Sequence, residues 1–322
     1  MHFIEIWNFW VVKSLIIDKF FLMKTILIAG GTGLVGQLLA QTLQDEGYNI
    51  RLISRSKPAN LIFPTFLWNV DKGVADGNAF KEVDIVINLA GTGVADKLWT
   101  ESRKKEITES RVKSNQLLTY CFKNYHRPAL YLSAGAIGFY GDRDSEILTE
   151  EHAAGDGFLS KSCIAWENAV FETADHETRL VLFRIGIVLS PRGGALQKML
   201  LPWKMGISTS FNPGNQWYSW IHEKDLVRLF LFAIQNEQVK GIYNAVAPNP
   251  EKMYDFAKIM NAQSKLPWRM VWSIPRTLLT TAMGEMSTVL THSTRVSAEK
   301  IMSAGFQFTF KKMDEALKNL IG

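Results

Sequence analysis

The 322-residue chain has only two cysteines, Cys121 and Cys163, 42 positions apart and in no CxxC pattern. That scarcity excludes a disulfide framework or a thiolate zinc site. It points to a reducing compartment, so a cytoplasmic location is expected. The six histidines (His2, His126, His152, His176, His222, His292) are scattered, with no pair at helical metal-ligand spacing, so no metal is expected. Long uncharged apolar runs are lacking too. Residues 1–22 are apolar but interrupted by Glu5, Lys13, Asp18 and Lys19, too often for a bilayer span of about 20 residues. The same segment lacks the basic start and small-residue cleavage site of a signal peptide. A second Met-Lys pair, Met23-Lys24, directly precedes the first clear strand, so residues 1–22 are expected to be an extension outside the fold. Charge of one sign is also scarce. The net charge is +5, and the densest charged run, ESRKKEITESRVK (101–113), alternates in sign. Such a run reads as a solvated helix face, so nucleic acid is not expected as a partner; without a spanning run, neither is a membrane. Oligomeric state is left open.

From Thr25 onward, short apolar runs alternate with helical stretches. This is the pattern of βαβ units around a doubly wound, Rossmann-like parallel sheet. Strands are expected at 25–29, 49–54, 65–70, 84–90, 129–134, 179–190 and 241–246. Helices are expected at 34–47, 99–124, 159–175 and 225–235. Residues 191–224, rich in Gly, Pro, Trp and Ser, read as an insertion toward a substrate pocket. The domain reading is therefore a dinucleotide-binding domain over 23–246 and a smaller, mostly helical lobe over 247–322.

The turn AGGTGLVG (29–36) places Gly30, Gly33 and Gly36 in a GxxGxxG spacing between a strand and a helix. Gly30 permits a tight turn, Gly33 close approach to a pyrophosphate, and Gly36 close helix–strand packing. With Thr32, Leu34 and Val35 they form the candidate cofactor turn, where free helix N–H groups meet phosphate. The absence of a following Gly-Lys-Ser/Thr excludes a P-loop. The end of the second strand selects between dinucleotides: an acidic residue there would bind the ribose of NAD. Here the chain reads LISRSK (52–57) without a carboxylate. Ser54 and Arg55 point to the 2′-phosphate of NADP(H).

The chain resembles the short-chain dehydrogenase/reductase superfamily, and more closely the epimerase family of NAD(P)-dependent epimerase/dehydratase-like proteins with a short C-terminal domain. The resemblance runs from about residue 24 to 321. It rests on ILIAGGTGLVG (26–36), VINLAG (86–91), ADKLWTESRKKEITESRV (95–112), GFYGD (138–142), FRIGIVLSPRGGALQKMLLPWKMG (183–206), QWYSWIHEKDL (216–226) and AGFQFTFKKMDEAL (304–317). It implies that Leu89, Ala90 and Gly91 line the cofactor and that Asn69 and Val70 lie near the adenine. It also implies a pocket between the sheet edge and the C-terminal lobe.

The superfamily divides its chemistry among a Ser, a Tyr and a Lys, the last two four residues apart on one helix face. Lys161 matches the Lys, but Gly157 stands at the Tyr position and Gly135 at the Ser position, with Ser133 nearby. Tyr140 ranks first among substitute proton donors. Glu150, Glu151 and His222 follow, and Arg111 is a candidate for a substrate anion. Opposite the apolar stripe of Leu159, Cys163, Trp166 and Val170, Lys161 reads equally as a ribose contact or a solvated lysine. The chain therefore reads as an NADP(H)-binding oxidoreductase or epimerase for a small carbonyl or alcohol. The alternative is a non-catalytic NADP(H)-binding sensor or scaffold.

Overall fold

The computed structural model describes residues 23–58, 61–174 and 177–322; the expected N-terminal extension lies outside them. Eight strands form the main sheet: β1 (Thr25–Ala29), β2 (Asn49–Ser54), β3 (Thr65–Asn69), β4 (Val74–Ala75), β5 (Ile85–Asn88), β6 (Leu130–Ala136), β7 (Arg179–Ile185) and β8 (Gly241–Ala245). Their order is β8-β7-β6-β5-β1-β2-β3-β4. All pairs are parallel except the terminal β3–β4 pair. β1 has its sequence successor on one side and β5 on the other, so the order reverses beside it. The carboxyl ends of these two strands form the crevice in which doubly wound folds bind ligands.

The helices are α1 (Leu34–Asp45), α2 (Glu101–Asn124), α3 (Gly157–Thr173), α4 (Gly194–Trp203), α5 (Glu223–Gln235), α6 (Met253–Ala262), α7 (Arg276–Met283), α8 (Thr288–Thr291), α9 (Glu299–Ser303) and α10 (Met313–Ile321). Side chains alternate across a strand, so β1, buried at every position, feeds two cores. Ile26 and Ile28 pack with Leu39 and Leu43 of α1 and with Leu229 and Phe230 of α5. Leu27 and Ala29 face Leu117 and Leu118 of α2 and Trp166 and Val170 of α3. Each such fully buried aliphatic side chain contributes about 1.5–3 kcal/mol relative to exposure. The α1 stripe at 36, 39, 40 and 43 has the helix period and is fully buried.

The expected strand over 179–190 is broken in two. Residues 187–189 leave the sheet and pair in parallel with 220–222. The cause is Gly186, where a Cβ would stand 2.5 Å from the carbonyl oxygen of Ser219: the crossing backbone bends the strand away. Beyond this point, Leu196, Met199 and Phe211 share a third core with Met253, Phe256 and Leu317. Much of the 191–224 insertion thus packs with Met253–Leu290 and Phe310–Ile321 as a second lobe, whereas Ile221, Val296, Ala298, Ile301, Phe306 and Phe308 join the first core. A parallel ribbon joins 207–211 to 270–274 within it.

Candidate functional site

The site begins at the turn after β1. Gly30 has φ +79°, and a Cβ there would meet Leu89 C at 2.7 Å and Ala90 N at 2.9 Å. The loops following β1 and β5 therefore touch, and only glycine fits between them. Gly36 seats α1 on the turn: its Cβ would lie 2.4 Å from Gly30 O and 2.7 Å from Gly31 Cα. Gly33 differs from both. It is the N-cap of α1 with φ −80°, and its Cβ would meet nothing but Gly30 O, at 3.3 Å. No side chain caps α1, and its first turn holds no carboxylate. The uncapped N–H groups and the dipole end are left for an anion.

In front of this turn lies a pocket of about 240 Å³. It is lined by Gly30, Thr32 and Gly33 from the turn; Ile53, Ser54 and Arg55 at the end of β2; Trp68 of β3 and Val70 just after it; Leu89, Ala90, Gly91 and Thr92 after β5; and Ser110 and Ser114 of α2. Nine residues expected from the sequence thus share one cavity: Gly30, Thr32, Gly33, Ser54, Arg55, Val70, Leu89, Ala90 and Gly91. Leu34, Val35 and Gly36 form the first turn of α1 without lining it. Asn69 does not line it either. Alternation along β3 turns it to the face opposite Trp68 and Val70, where its Oδ1 accepts from Lys72 N at 3.0 Å. Ser133 is fully buried within β6 and donates to Ala134 O at 3.1 Å.

Several pocket features lie beyond the sequence reading. Asn88 is buried at the end of β5; its Oδ1 accepts from Ala90 N at 3.0 Å, and its Nδ2 donates to the Tyr131 hydroxyl at 3.2 Å. It fixes the path of Leu89–Gly91. The signal was present as a lone amide inside the apolar run VINLAG. Ser110 and Ser114, four apart, put two hydroxyls on the face of α2 that lines the pocket. Arg111, the candidate for a substrate anion, is engaged with the backbone and with an aromatic ring. It donates to Thr92 O and to Ile107 O at 2.9 Å each, and lies 4.9 Å from the Trp166 ring centroid. Arg103 donates to Gly93 O at 2.7 Å, and Trp99 Nε1 to Val94 O at 2.9 Å. Together these side chains pin the loop between β5 and α2. Burial lowers the Arg111 pKa below its ordinary value.

Tyr140 does not line the cofactor pocket. Its hydroxyl is fully buried, donates to Asn244 Oδ1 at 2.7 Å and accepts from Arg184 Nη1 at 3.0 Å. Arg184 in turn forms a bidentate pair with Glu167, at 2.9 and 2.8 Å, with both partners buried. Burial pushes the phenol pKa up, and Arg184 offsets that only in part. These bonds tie the turn after β6 to β7 and β8 and commit the phenol proton to Asn244. His222 is also structural: Nδ1 accepts from Lys224 N at 3.0 Å as the N-cap of α5, and the ring stacks on Phe310 at 3.8 Å. Glu150 Oε1 accepts from Asn244 N at 2.7 Å. Gly157, at the superfamily's Tyr position, has φ +88°; a tyrosine would be strained in this backbone. Lys161 is exposed and does not line the cofactor pocket. A second, polar cavity of about 440 Å³, lined in part by Asp142, Gln216, Arg276 and Ser293, lies where the loop after Tyr140 meets the second lobe. Among the described residues no cluster of metal-ligating side chains occurs.

Comparison with known proteins agrees with this geometry. Residues 26–245 match the NAD dependent epimerase/dehydratase family, and residues 274–320 match a domain of unknown function. An epimerase family protein of Staphylococcus haemolyticus is 35% identical over 307 residues, covering 93% of this chain and 99% of the relative. One from Staphylococcus aureus is 34% identical over 301 residues, with the same two coverages. The crystal structure of human epimerase family protein SDR39U1 with NADPH superposes with a TM-score of 0.83 at 28% identity, covering 92% of this chain and 98% of the human one. The nucleoside-diphosphate sugar epimerase of Corynebacterium glutamicum gives 0.75 at 30% identity, covering 93% of this chain and 58% of the other. By its sequence, its sheet order and its glycine turn, this chain belongs to the NAD-dependent epimerase/dehydratase family.

Proposed function

We propose that this chain binds NADP(H) and acts as an oxidoreductase or epimerase on a small carbonyl or alcohol, without a Tyr–Lys acid pair. The observation that carries the cofactor assignment is the shared pocket. Ser54 and Arg55 end β2, with no carboxylate among them, in the same cavity as a glycine turn that leaves α1 uncapped. These residues fit the dinucleotide. The backbone of Gly30–Gly33 and the N-terminus of α1 would hold the pyrophosphate, and Ser54 and Arg55 the 2′-phosphate. Trp68 and Val70 would flank the adenine, with Leu89–Gly91 along the ribose side. The bound group would supply hydride exchange at its nicotinamide ring. The human relative crystallised with NADPH supports the phosphorylated form.

A second reading, an NADP(H)-binding sensor or scaffold, is favoured by two observations. The backbone at Gly157 disfavours a tyrosine, and Tyr140 is committed to Asn244 and Arg184. Titration with NADPH and NADH, followed by quenching of tryptophan fluorescence, tests the cofactor assignment. Arg55→Ala should weaken NADPH by roughly ten- to a hundredfold, the loss of one charge-assisted contact of about 1.5–3 kcal/mol, and leave NADH unchanged. Unchanged preference for NADPH in that variant would refute the role of Arg55. A carbonyl panel scored by NADPH oxidation then separates the two readings. Turnover supports the enzyme, and binding without turnover supports the sensor.

A further inference from the structure

The ribbon of the second lobe carries an apolar surface that neither the cofactor pocket nor the family resemblance accounts for. Its strand 207–211 is covered on one side by α6: Ser208 and Ser210 are fully buried, and Ser208 Oγ donates to Asn261 Oδ1 at 3.4 Å. Along the partner segment the large side chains alternate. Trp268, Met270 and Trp272 are 58%, 53% and 53% exposed, on one side of an extended chain. A Cβ at Gly206 would lie 2.7 Å from the Trp268 ring, which sets the turn after α4, with its exposed Met205, beside them. Leu201 of α4 and Leu278 of α7, in the flanking helices, are exposed as well. Single exposed apolar side chains are ordinary, but this grouping, with two tryptophans within five residues, has the character of an interaction surface.

The chain segments that carry these apolar side chains are basic. The segments 191–222 and 256–284 contain no aspartate or glutamate. Lys204, Lys265 and Arg269 are exposed, and none of them forms an ion pair among the described residues. Two of them adjoin the apolar group directly in the chain, as Lys204-Met205 and Trp268-Arg269.

We propose that this face docks on an anionic lipid bilayer, with Trp268, Met270 and Trp272 seated at the headgroup level and the flanking cations on lipid phosphates. Tryptophan and basic side chains are the pair that an anionic membrane interface selects. A second copy fits less well, because a two-fold contact through this face would set the cations of both protomers against one another. No helix among the described residues is long and apolar enough to cross a membrane, so the attachment is peripheral. The sequence expectation of no membrane partner rests on spanning runs, whereas this surface is assembled from two segments about 60 residues apart in the chain (204–207 and 265–272).

Sedimentation of the full chain with vesicles tests the proposal, using phosphatidylcholine alone and phosphatidylcholine mixed with phosphatidylglycerol. The protein should sediment with the mixed vesicles, not with phosphatidylcholine alone, and should be released by salt. Lys204→Gln combined with Lys265→Gln should weaken the binding roughly thirtyfold, on the order of fivefold for each charge removed. Trp272→Ser should abolish binding while leaving the melting temperature and NADPH affinity unchanged. Failure to sediment with mixed vesicles overturns the proposal, as does binding that survives both variants. Binding lost on deletion of residues 1–22 but kept by Trp272→Ser would transfer the anchor to that segment. A dimer in buffer that Trp272→Ser dissolves, without vesicle binding, would assign the face to a second copy, and capture of acidic proteins without vesicle binding would assign it to a protein partner.

Discussion

Gly33 and Gly36 stand three residues apart in one turn, yet alanine should affect them in different ways. At Gly36 the added Cβ would lie 2.4 Å from Gly30 O and 2.7 Å from Gly31 Cα. Both are backbone atoms that no rotamer change can move. Restoring an ordinary contact of 3.4 Å requires α1 to lift from the turn by about 1 Å. Overpacking of this kind costs about 1–3 kcal/mol, and it tilts the N–H groups that face the pocket. At Gly33 the φ of −80° suits any residue, and the one near atom is Gly30 O at 3.3 Å. Alanine there changes stability by less than about 1 kcal/mol, because a weaker N-cap is offset by a less flexible unfolded chain. The methyl group instead occupies the space in front of the turn and should displace the pyrophosphate. Loss of one or two charge-assisted hydrogen bonds, at about 1.5–3 kcal/mol each, weakens NADPH on the order of a hundredfold. Thermal melting and NADPH titration of both variants measure the two effects separately. Gly33→Ala should lose affinity at nearly constant melting temperature, and Gly36→Ala should lose both. A Gly33→Ala protein that binds NADPH like the wild type, or a Gly36→Ala protein with unchanged melting, would refute the reasoning.

Tyr140→Phe should cost about 1–3 kcal/mol in denaturant unfolding by leaving Asn244 and Arg184 short of a partner, and should leave NADPH affinity and any turnover intact. Loss of turnover in a folded Tyr140→Phe protein would return the phenol to the chemistry. Glu167→Gln should be more damaging, about 3–5 kcal/mol, because it strands the buried Arg184 charge; melting measures it. Burial lowers the His222 pKa from its ordinary value, with Asp225 opposing. The unfolded chain therefore takes up the proton first, and the stability held above about pH 6.5 is lost as pH falls through that value, by up to about 1.4 kcal/mol per unit. His222→Asn keeps an acceptor for Lys224 N and should flatten that part of the stability profile between pH 7 and 5. An identical slope in wild type and variant would exclude His222 as its source; His292, lowered likewise by burial, contributes the same sign.

Much of the fold could be read from local pattern. The strand TILIA, the α1 stripe and the turn between them follow from alternation, the helix period and the glycine spacing, which act over a few residues. The boundaries of β1 and β2 in the sequence reading coincide with those observed. The break at Gly186 could not be read, because its cause is the Ser219 carbonyl, more than 30 positions away. That Asn69 lies off the pocket could not be read for a related reason: which face of β3 meets the pocket depends on the neighbouring strands.

The sequence by itself determined the βαβ order, the glycine turn, the lack of a carboxylate after β2 and the glycine at the superfamily's tyrosine position. These are properties of residue type and near spacing. Only the tertiary structure decided that Tyr140 is a buried tie to Asn244 and Arg184, that Arg111 pins a loop, and that Trp268 and Trp272 lie exposed beside a basic turn. A polar side chain's role depends on which partners the fold brings within hydrogen-bonding distance, and those partners come from distant parts of the chain.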